Sequence, residues 1–386
     1  MPANRIYQRT LAPAACVRLT PCLSYPRTTA IERPLSAADE CTREDGTPFR
    51  GPRSSRRALL VGALFALAAP TSGRAATSGT VFTADELGGS ITAVRLPAGI
   101  VRTARLPIAP HNLDLSSDGR RLLLVGLPPG GTHAAGGGRL LVLDAADITK
   151  PPHAEVAIGP HPAHVVPDAD GIHAYVTDSH EGVVMVLDLK AGRVVARIPV
   201  GAEPHGLRLA PSEAELYVAN MRSNDVSVVD VRNRREVARI PVGRVPVQVA
   251  FTPDGRQVFV SLNGENRVAI IDQAVRKLVS TVPVGRNPVQ LQVTPDGRWL
   301  YVANQGGKAE PDDTVSVIDV MTRQPAATIQ SGRGAHGIAM SRDGALVFVS
   351  NIVDGSIAVL DVATQSRRAV HRVGAGPNGI AFLPSA

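Results

Sequence analysis

Residues 205–243 read HGLRLAPSEAELYVANMRSNDVSVVDVRNRREVARIPVG. Four short runs rich in Val, Leu, Ile and Tyr stand here, separated by polar and turn-forming residues. Runs of this length and composition read as strands rather than helices. Strand a is His205 to Ala210, followed by a turn at Pro211, Ser212, Glu213 and Ala214. Strand b runs from Leu216 to Asn220 and a polar loop from Met221 to Asp225. Strand c is Val226 to Asp230, and strand d is Glu236 to Val242, closed by Gly243.

The same unit recurs along the chain. Its strand c, an alternating apolar run ending in Asp, returns at Asp144, Asp188, Asp230, Asp272, Asp319 and Asp361, with spacings of 44, 42, 42, 47 and 42 residues. A weaker copy, Ile91 to Arg95, makes seven units. Thr-Pro-Asp-Gly-Arg fills the a–b turn at 252–256 and at 294–298. Asp-Gly there supplies the positive φ that a tight hairpin needs. The strand-end aspartates are expected to accept backbone N–H bonds in the c–d turn.

Four strands repeated at this period describe the blade of a β-propeller. A single blade cannot cover both of its faces, so blades pack around an axis until the ring closes. The ends of the chain fit closure. The last segment, Pro377 to Pro384, reads as a strand a with nothing after it. The segment from Val81 reads as a strand b with no strand a before it. The expected fold is therefore all-β: a seven-bladed propeller over 77–386, closed by the C-terminal strand a joining N-terminal strands b, c and d.

The units resemble the YVTN repeat of bacterial and archaeal propellers. The carrying residues are Tyr217-Val218-Ala219-Asn220, Tyr301-Val302-Ala303-Asn304, Tyr175-Val176-Thr177-Asp178 and Phe348-Val349-Ser350-Asn351, with Ile-Pro-Val-Gly at 198–201 and 240–243. The resemblance implies the propeller fold. Relatives of this kind include surface-layer proteins, the haem d1 domain of nitrite reductase, the propeller of nitrous oxide reductase and lactonase-like enzymes, so it selects no activity.

Upstream of the repeats, Arg56-Arg57 precedes an apolar run from Ala58 to Ala69 and small residues at Gly73, Ala75 and Ala76. The run is shorter than the roughly 20 residues that span a bilayer as a helix. Residues 55–76 thus read as a Sec or twin-arginine signal peptide, which predicts a periplasmic or secreted protein without a transmembrane segment. Residues 1–54 read as a disordered extension or as the product of an upstream start. They hold all three cysteines, Cys16, Cys22 and Cys41, in no metal or redox spacing.

The whole chain has 41 Lys+Arg against 34 Asp+Glu, a formal charge of +7. Residues 1–76 carry 11 of the basic and 5 of the acidic groups, leaving 30 against 29 in the propeller. A nearly neutral propeller with 3% aromatic residues is a poor nucleic-acid binder. The expected partners are a protein or a small anionic ligand, and the expected state is a monomer.

Candidate site residues lie where the units differ. The d–a and b–c connections share one face, at the mouth of the channel. There, Pro110-His111-Asn112, His161-Pro162-Ala163-His164 and Pro204-His205-Gly206 begin three consecutive blades. Gln248 and Gln290 take the corresponding place in the next two, and His336 and Asn378 in the last two. Arg244, Arg286 and Arg333 follow the Gly before strand a in blades four to six. Neutral imidazoles from neighbouring blades suit copper or zinc, so His111, His161, His164, His205 and His336 are candidate metal ligands. Copper held by blade histidines is also what resemblance to nitrous oxide reductase implies. Arg244, Arg286, Arg333, Gln248 and Gln290 are candidate contacts to an anion. Pro-His-Gly as a turn with its His bonded to backbone is the alternative.

Other chemistry finds little support. No Cys-x-x-Cys-His occurs, so c-type haem is excluded. The nucleophile elbow and the P-loop are absent as well. His205 with Glu203, or His111 with Asp114, would be the general-base pairs of a lactonase-like hydrolase. The reading favours an exported binding or scaffold propeller acting through its loop-bearing face, with a propeller hydrolase or redox protein as the alternative. Insertions at 127–138 and 305–313 sit on that face and read as covers or partner contacts.

Overall fold

The structure, a computed structural model, describes residues 77–129 and 137–385. The expected signal peptide, the extension before it and the centre of the 127–138 insertion, with His133, lie outside these residues. The chain enters on β1 (Gly79–Asp85), β2 (Ser90–Leu96) and β3 (Ile100–Arg105), three strands of blade 7. Blade 1 is β4 (Ala109–Leu115), β5 (Arg121–Leu127), β6 (Arg139–Asp144) and β7 (Ala154–Ala157). Blade 2 is β8 (Pro162–Pro167), β9 (His173–Asp178), β10 (Val183–Asp188) and β11 (Arg193–Pro199). Blade 3 is β12 (Pro204–Leu209), β13 (Glu215–Asn220), β14 (Asp225–Asp230) and β15 (Arg235–Pro241). Blade 4 is β16 (Pro246–Phe251), β17 (Gln257–Leu262), β18 (Arg267–Asp272) and β19 (Lys277–Pro283). Blade 5 is β20 (Pro288–Val293), β21 (Trp299–Asn304), β22 (Thr314–Asp319) and β23 (Gln324–Gln330). Blade 6 is β24 (Ala335–Met340), β25 (Leu346–Asn351), β26 (Ser356–Asp361) and β27 (Ser366–Arg372). Finally β28 (Pro377–Pro384) pairs with β1 and completes blade 7. Seven antiparallel four-stranded sheets thus form a seven-bladed β-propeller, and the described residues contain no helix.

Burial explains why the four strands of a unit look different in sequence. Strands b and c lie between neighbouring blades and are covered on both faces, so β13, β14, β17 and β18 are nearly continuous apolar runs. Strand d faces outward, and β15 and β19 are mostly exposed or half-exposed. The aromatic residue of strand b, as in Tyr217, Phe259, Tyr301 and Phe348, is fully buried among the blades. Its successor three residues on, Asn220, is buried too. Asn220 Nδ2 donates to Asp225 Oδ1 at 2.7 Å and to Ser227 Oγ at 2.8 Å. That side chain packs on Gly201, where a Cβ would meet Asn220 Nδ2 at 2.4 Å, which accounts for the Gly after Pro-Val.

The turns follow the sequence reading. Gly255 and Gly297 both adopt φ of 74°, and Thr252 Oγ1 donates to Asp254 Oδ1 at 2.6 Å inside the first of these turns. Each strand-end aspartate accepts a backbone N–H from the c–d turn. Examples are Asp230 from Asn233 at 2.8 Å and Asp319 from Thr322 at 2.7 Å.

Blade 7 carries Asp85 at the position held by Asn in blades 3, 5 and 6. Its carboxylate accepts from Thr83 at 2.7 Å, Ser90 at 3.2 Å and Thr92 at 2.6 Å. Burial outweighs these bonds and raises its pKa to about 6. In the unfolded chain this carboxyl titrates near 4. The folded form therefore holds the proton more tightly. The associated stability is complete below about pH 4 and is lost as pH rises through about 6, a change of about 3 kcal/mol. In blade 6 an Asn makes the same bond without a charge, Asn351 Nδ2 donating to Ser356 Oγ at 3.1 Å. His205, His336 and His164, whose pKa values burial lowers, act in the opposite sense over the same range, so the effect is read as a difference: Asp85→Asn should gain about 5–10 °C on the parent between pH 4 and pH 7. Parallel melting-temperature profiles for parent and variant would contradict this.

Candidate metal centre

The seven strands a, namely β4, β8, β12, β16, β20, β24 and β28, each contact the next and form the innermost ring. Each begins with a short segment in which Pro, or Ala in β24, precedes two residues that face the axis or the next blade. A bulge follows in every case, for example between Pro204 and Leu207. The bulge breaks the regular in–out alternation, and the two residues are polar in some blades and apolar in others, Val247 and Val289 packing into a hydrophobic core. The pairs are His111 and Asn112, Ala163 and His164, His205 and Gly206, Val247 and Gln248, Val289 and Gln290, His336 and Gly337, and Asn378 and Gly379.

Three of these side chains converge. One ring nitrogen each from His111, His164 and His205 lies within 4.8 Å of the other two. His111 Nε2 and His205 Nε2 are 3.5 Å apart. The His164 ring centroid lies 4.6 Å from that of His205 and 6.0 Å from that of His111.

The surrounding hydrogen bonds fix the tautomers. Glu86, in the b–c turn of blade 7, accepts from His111 Nδ1 at 3.1 Å and from Asn378 Nδ2 at 2.7 Å. Burial pushes Glu86 upward, but the His111 bond and charge, with Asn378 and His336, outweigh it and hold the carboxyl at about 2. Glu86 is therefore an anion, and His111 Nδ1 carries its proton. His205 Nδ1 donates to the Val247 carbonyl at 3.2 Å, and His336 Nδ1 to the Asn378 carbonyl at 3.2 Å. So Nε2 of His205 is a lone pair in the neutral ring, and Nε2 of His111 is one whenever its own ring is neutral. Two such lone pairs 3.5 Å apart repel; a proton or a metal ion between them converts the repulsion into attraction.

Burial keeps His164, His205 and His336 neutral near pH 7. Together with repulsion from His111, it lowers His205 to about 3 and His336 to about 4. Burial and then His205 lower His164 well below the usual imidazole value. Neutral imidazole is the form that ligates metals.

The other candidates are placed differently. His161 lies on the exposed loop before β8, with Nδ1 2.7 Å from Ser179 Oγ, and His336 is buried two ring positions beyond the three-histidine set, past Asn378. The three arginines lie on the connections before strand a, beside acidic residues. Arg244 is 72% exposed with Nε 3.6 Å from Glu265, and Arg286 pairs with Glu310 at 2.8 Å and Asp312 at 3.6 Å. Arg333 donates its backbone N–H to Asp354 at 2.8 Å. Each is tied to an acidic residue of its own blade's b–c loop. Gln248 and Gln290 are buried in the inner ring: Gln248 Nε2 donates to His164 Nδ1 at 3.3 Å, and Gln290 accepts from the Ile338 N–H at 3.3 Å. Of the two hydrolase pairs, Glu203 binds Arg222 at 3.3 Å rather than His205, and Asp114 lies 3.8 Å from Arg208.

Glu86 and Arg208 are the site residues that spacing alone does not single out. Glu86 follows the strand-b terminus, where the other blades carry Ser179, Met221, Asn263, Gln305 and Ile352. It is the only acid at that position among the described blades, and this was the available signal.

No family model and no curated protein matches the chain. Among solved structures it is similar to a chain of hydrazine synthase from Kuenenia stuttgartiensis, 20% identical, TM-score 0.61, covering 72% of this chain and 96% of that one. It is also similar to a functionally unknown protein from Desulfotomaculum acetoxidans, 15% identical, TM-score 0.68, covering 80% and 100%. At these identities the likeness carries the fold alone, a seven-bladed β-propeller.

Proposed function

We propose that this propeller is an exported metal-binding protein that holds one transition-metal ion, copper or zinc, at the axial mouth of its channel. The observation that carries the reading is the pair of Nε2 lone pairs of His111 and His205, 3.5 Å apart and fixed from behind by Glu86 and the Val247 carbonyl. Ligand bonds of about 2.0 Å from both nitrogens to one ion give that separation at an angle of about 120°, within the range of trigonal and tetrahedral centres. A carboxylate behind one ligand and a backbone carbonyl behind the other fix each ring's tautomer and orientation. The reading of residues 55–76 as an export signal places the site in an oxidising compartment, where a propeller without cysteine is chemically inert.

Elemental analysis of protein exported in the native manner tests the reading. One equivalent of copper or zinc is expected after dialysis. Protein that carries neither metal, and takes up neither when supplied, would refute it. A narrower test concerns Glu86. Glu86→Gln keeps the shape but removes the charge behind His111, and is expected to weaken metal affinity by about 10- to 100-fold with stoichiometry unchanged. Unchanged affinity in a competition titration would remove Glu86 from the account.

A further inference from the structure

We infer that the metal centre binds a small anion, held beside the ion by His164 and Arg208; this rests on the metal reading above. The first observation is the unusual tautomer of His164. Gln248 Oε1 accepts the Val249 N–H at 2.9 Å, so its Nε2 must be the group that donates to His164 Nδ1. The amide has little freedom to turn over. It passes across Gly206, where a Cβ would meet Oε1 at 2.3 Å, and turning it would set two donors against each other at Val249. With Nδ1 accepting, neutral His164 carries its proton on Nε2. His164 is 1% exposed, and Nε2 has no hydrogen-bond partner among the described residues. His164 is thus arranged as a donor, unlike His111 and His205. A buried donor without an acceptor is destabilising. A ligand that accepts from it beside the metal removes that cost.

The second observation is Arg208, three residues after His205 on β12. Its guanidinium reaches Asp114 only at 3.8 Å and its neighbouring Leu207 carbonyl at 3.3 Å. Five N–H donors are available, and these contacts use few of them. Burial raises the pKa of Asp114, against the opposing pull of Arg208 and the Leu115 N–H. The side chain of Arg208 is 35% exposed and that of Asp114 31%, so both keep access to solvent. The positive charge of Arg208 is close enough to act on His164.

A divalent ion on two neutral imidazoles, with Arg208 nearby and Glu86 committed to His111 and Asn378, leaves the channel mouth with surplus positive charge. A monoanion with oxygen or nitrogen donor atoms balances it. It would coordinate the ion at a position His111 and His205 leave open and accept from His164 Nε2–H and the guanidinium. The class is a small carboxylate or a linear or bent inorganic anion.

The test uses copper(II)-loaded full-length protein titrated with azide, whose charge-transfer absorption reports a metal-bound anion, and with formate as competitor. Saturable azide binding displaced by formate is expected. Arg208→Gln and His164→Ala should each retain one equivalent of copper and weaken azide at least 10-fold. Equal azide affinity in parent and variants would overturn the inference while leaving the metal reading intact. Loss of copper in His164→Ala, with native circular dichroism, would make His164 a ligand and overturn its role as donor. Failure of the parent protein to take up copper would overturn both readings, which separates that result from the others.

Discussion

Ending the chain at residue 376 is expected to leave no cooperatively folded propeller. That truncation removes β28, the strand that joins the two ends of the chain. β28 contributes to two interblade cores. Ile380 and Phe382 pack with Val81, Val94 and Phe348 toward blade 6, and Ala381 and Leu383 pack with Leu113 and Leu122 toward blade 1. Phe382 stacks on Phe348 with centroids 4.8 Å apart. Burying a large apolar side chain is worth about 1.5–3 kcal/mol, and β1 would become an unpaired edge. The lost terms together approach the 5–15 kcal/mol that stabilises a typical domain. The truncation also removes Asn378, which bonds Glu86 and accepts from His336. Circular dichroism on heating, with size-exclusion chromatography, checks this. A monomer with a sharp transition within about 5 °C of the parent would contradict closure as the stabilising device.

The second large effect concerns the centre itself. His205→Ala should reduce bound metal from one equivalent to less than about a tenth at micromolar protein, because only one of the paired Nε2 ligands remains. Metal that binds only the folded state raises stability by about 2.7 kcal/mol at a hundredfold excess over its dissociation constant. The parent should therefore melt several degrees higher with metal, and His205→Ala should not respond. Without metal the variant loses one bond to the Val247 carbonyl, worth about 1 kcal/mol, so its own melting temperature should stay close to the parent's. A metal-induced shift of equal size in the variant would show that the ion sits elsewhere.

The fold was legible because its signals are local and repeated. Asp230 and its counterparts end strand c and bond the turn that follows; Gly255 and Gly297 supply the positive φ their turns need. The unmatched strands at the two ends pair as β28 and β1. The site was only partly legible, for a geometric reason. Repeat spacing gives the position of a residue in the blade but not the direction of its side chain on a loop. His161 and His164 are three residues apart and looked equivalent, yet one lies on the exposed loop and the other in the inner ring. Arg244, Arg286 and Arg333 share a repeat position, but the side chains of Arg244 and Arg286 pair with acids of their own b–c loops and Arg333 bonds Asp354 through its backbone N–H. Glu86 reaches His111 from the b–c turn of the preceding blade, and it lies in the unit with the weakest repeat.

Location of the ion tests the central claim most directly. Crystals grown from metal-loaded protein, with diffraction recorded at the copper or zinc absorption edge, should give one anomalous peak on the propeller axis. The account places it about 2.0–2.2 Å from both His111 Nε2 and His205 Nε2. A peak more than about 3 Å from either nitrogen, or bound metal confined to the exposed loops around His161 or Glu310, would contradict it.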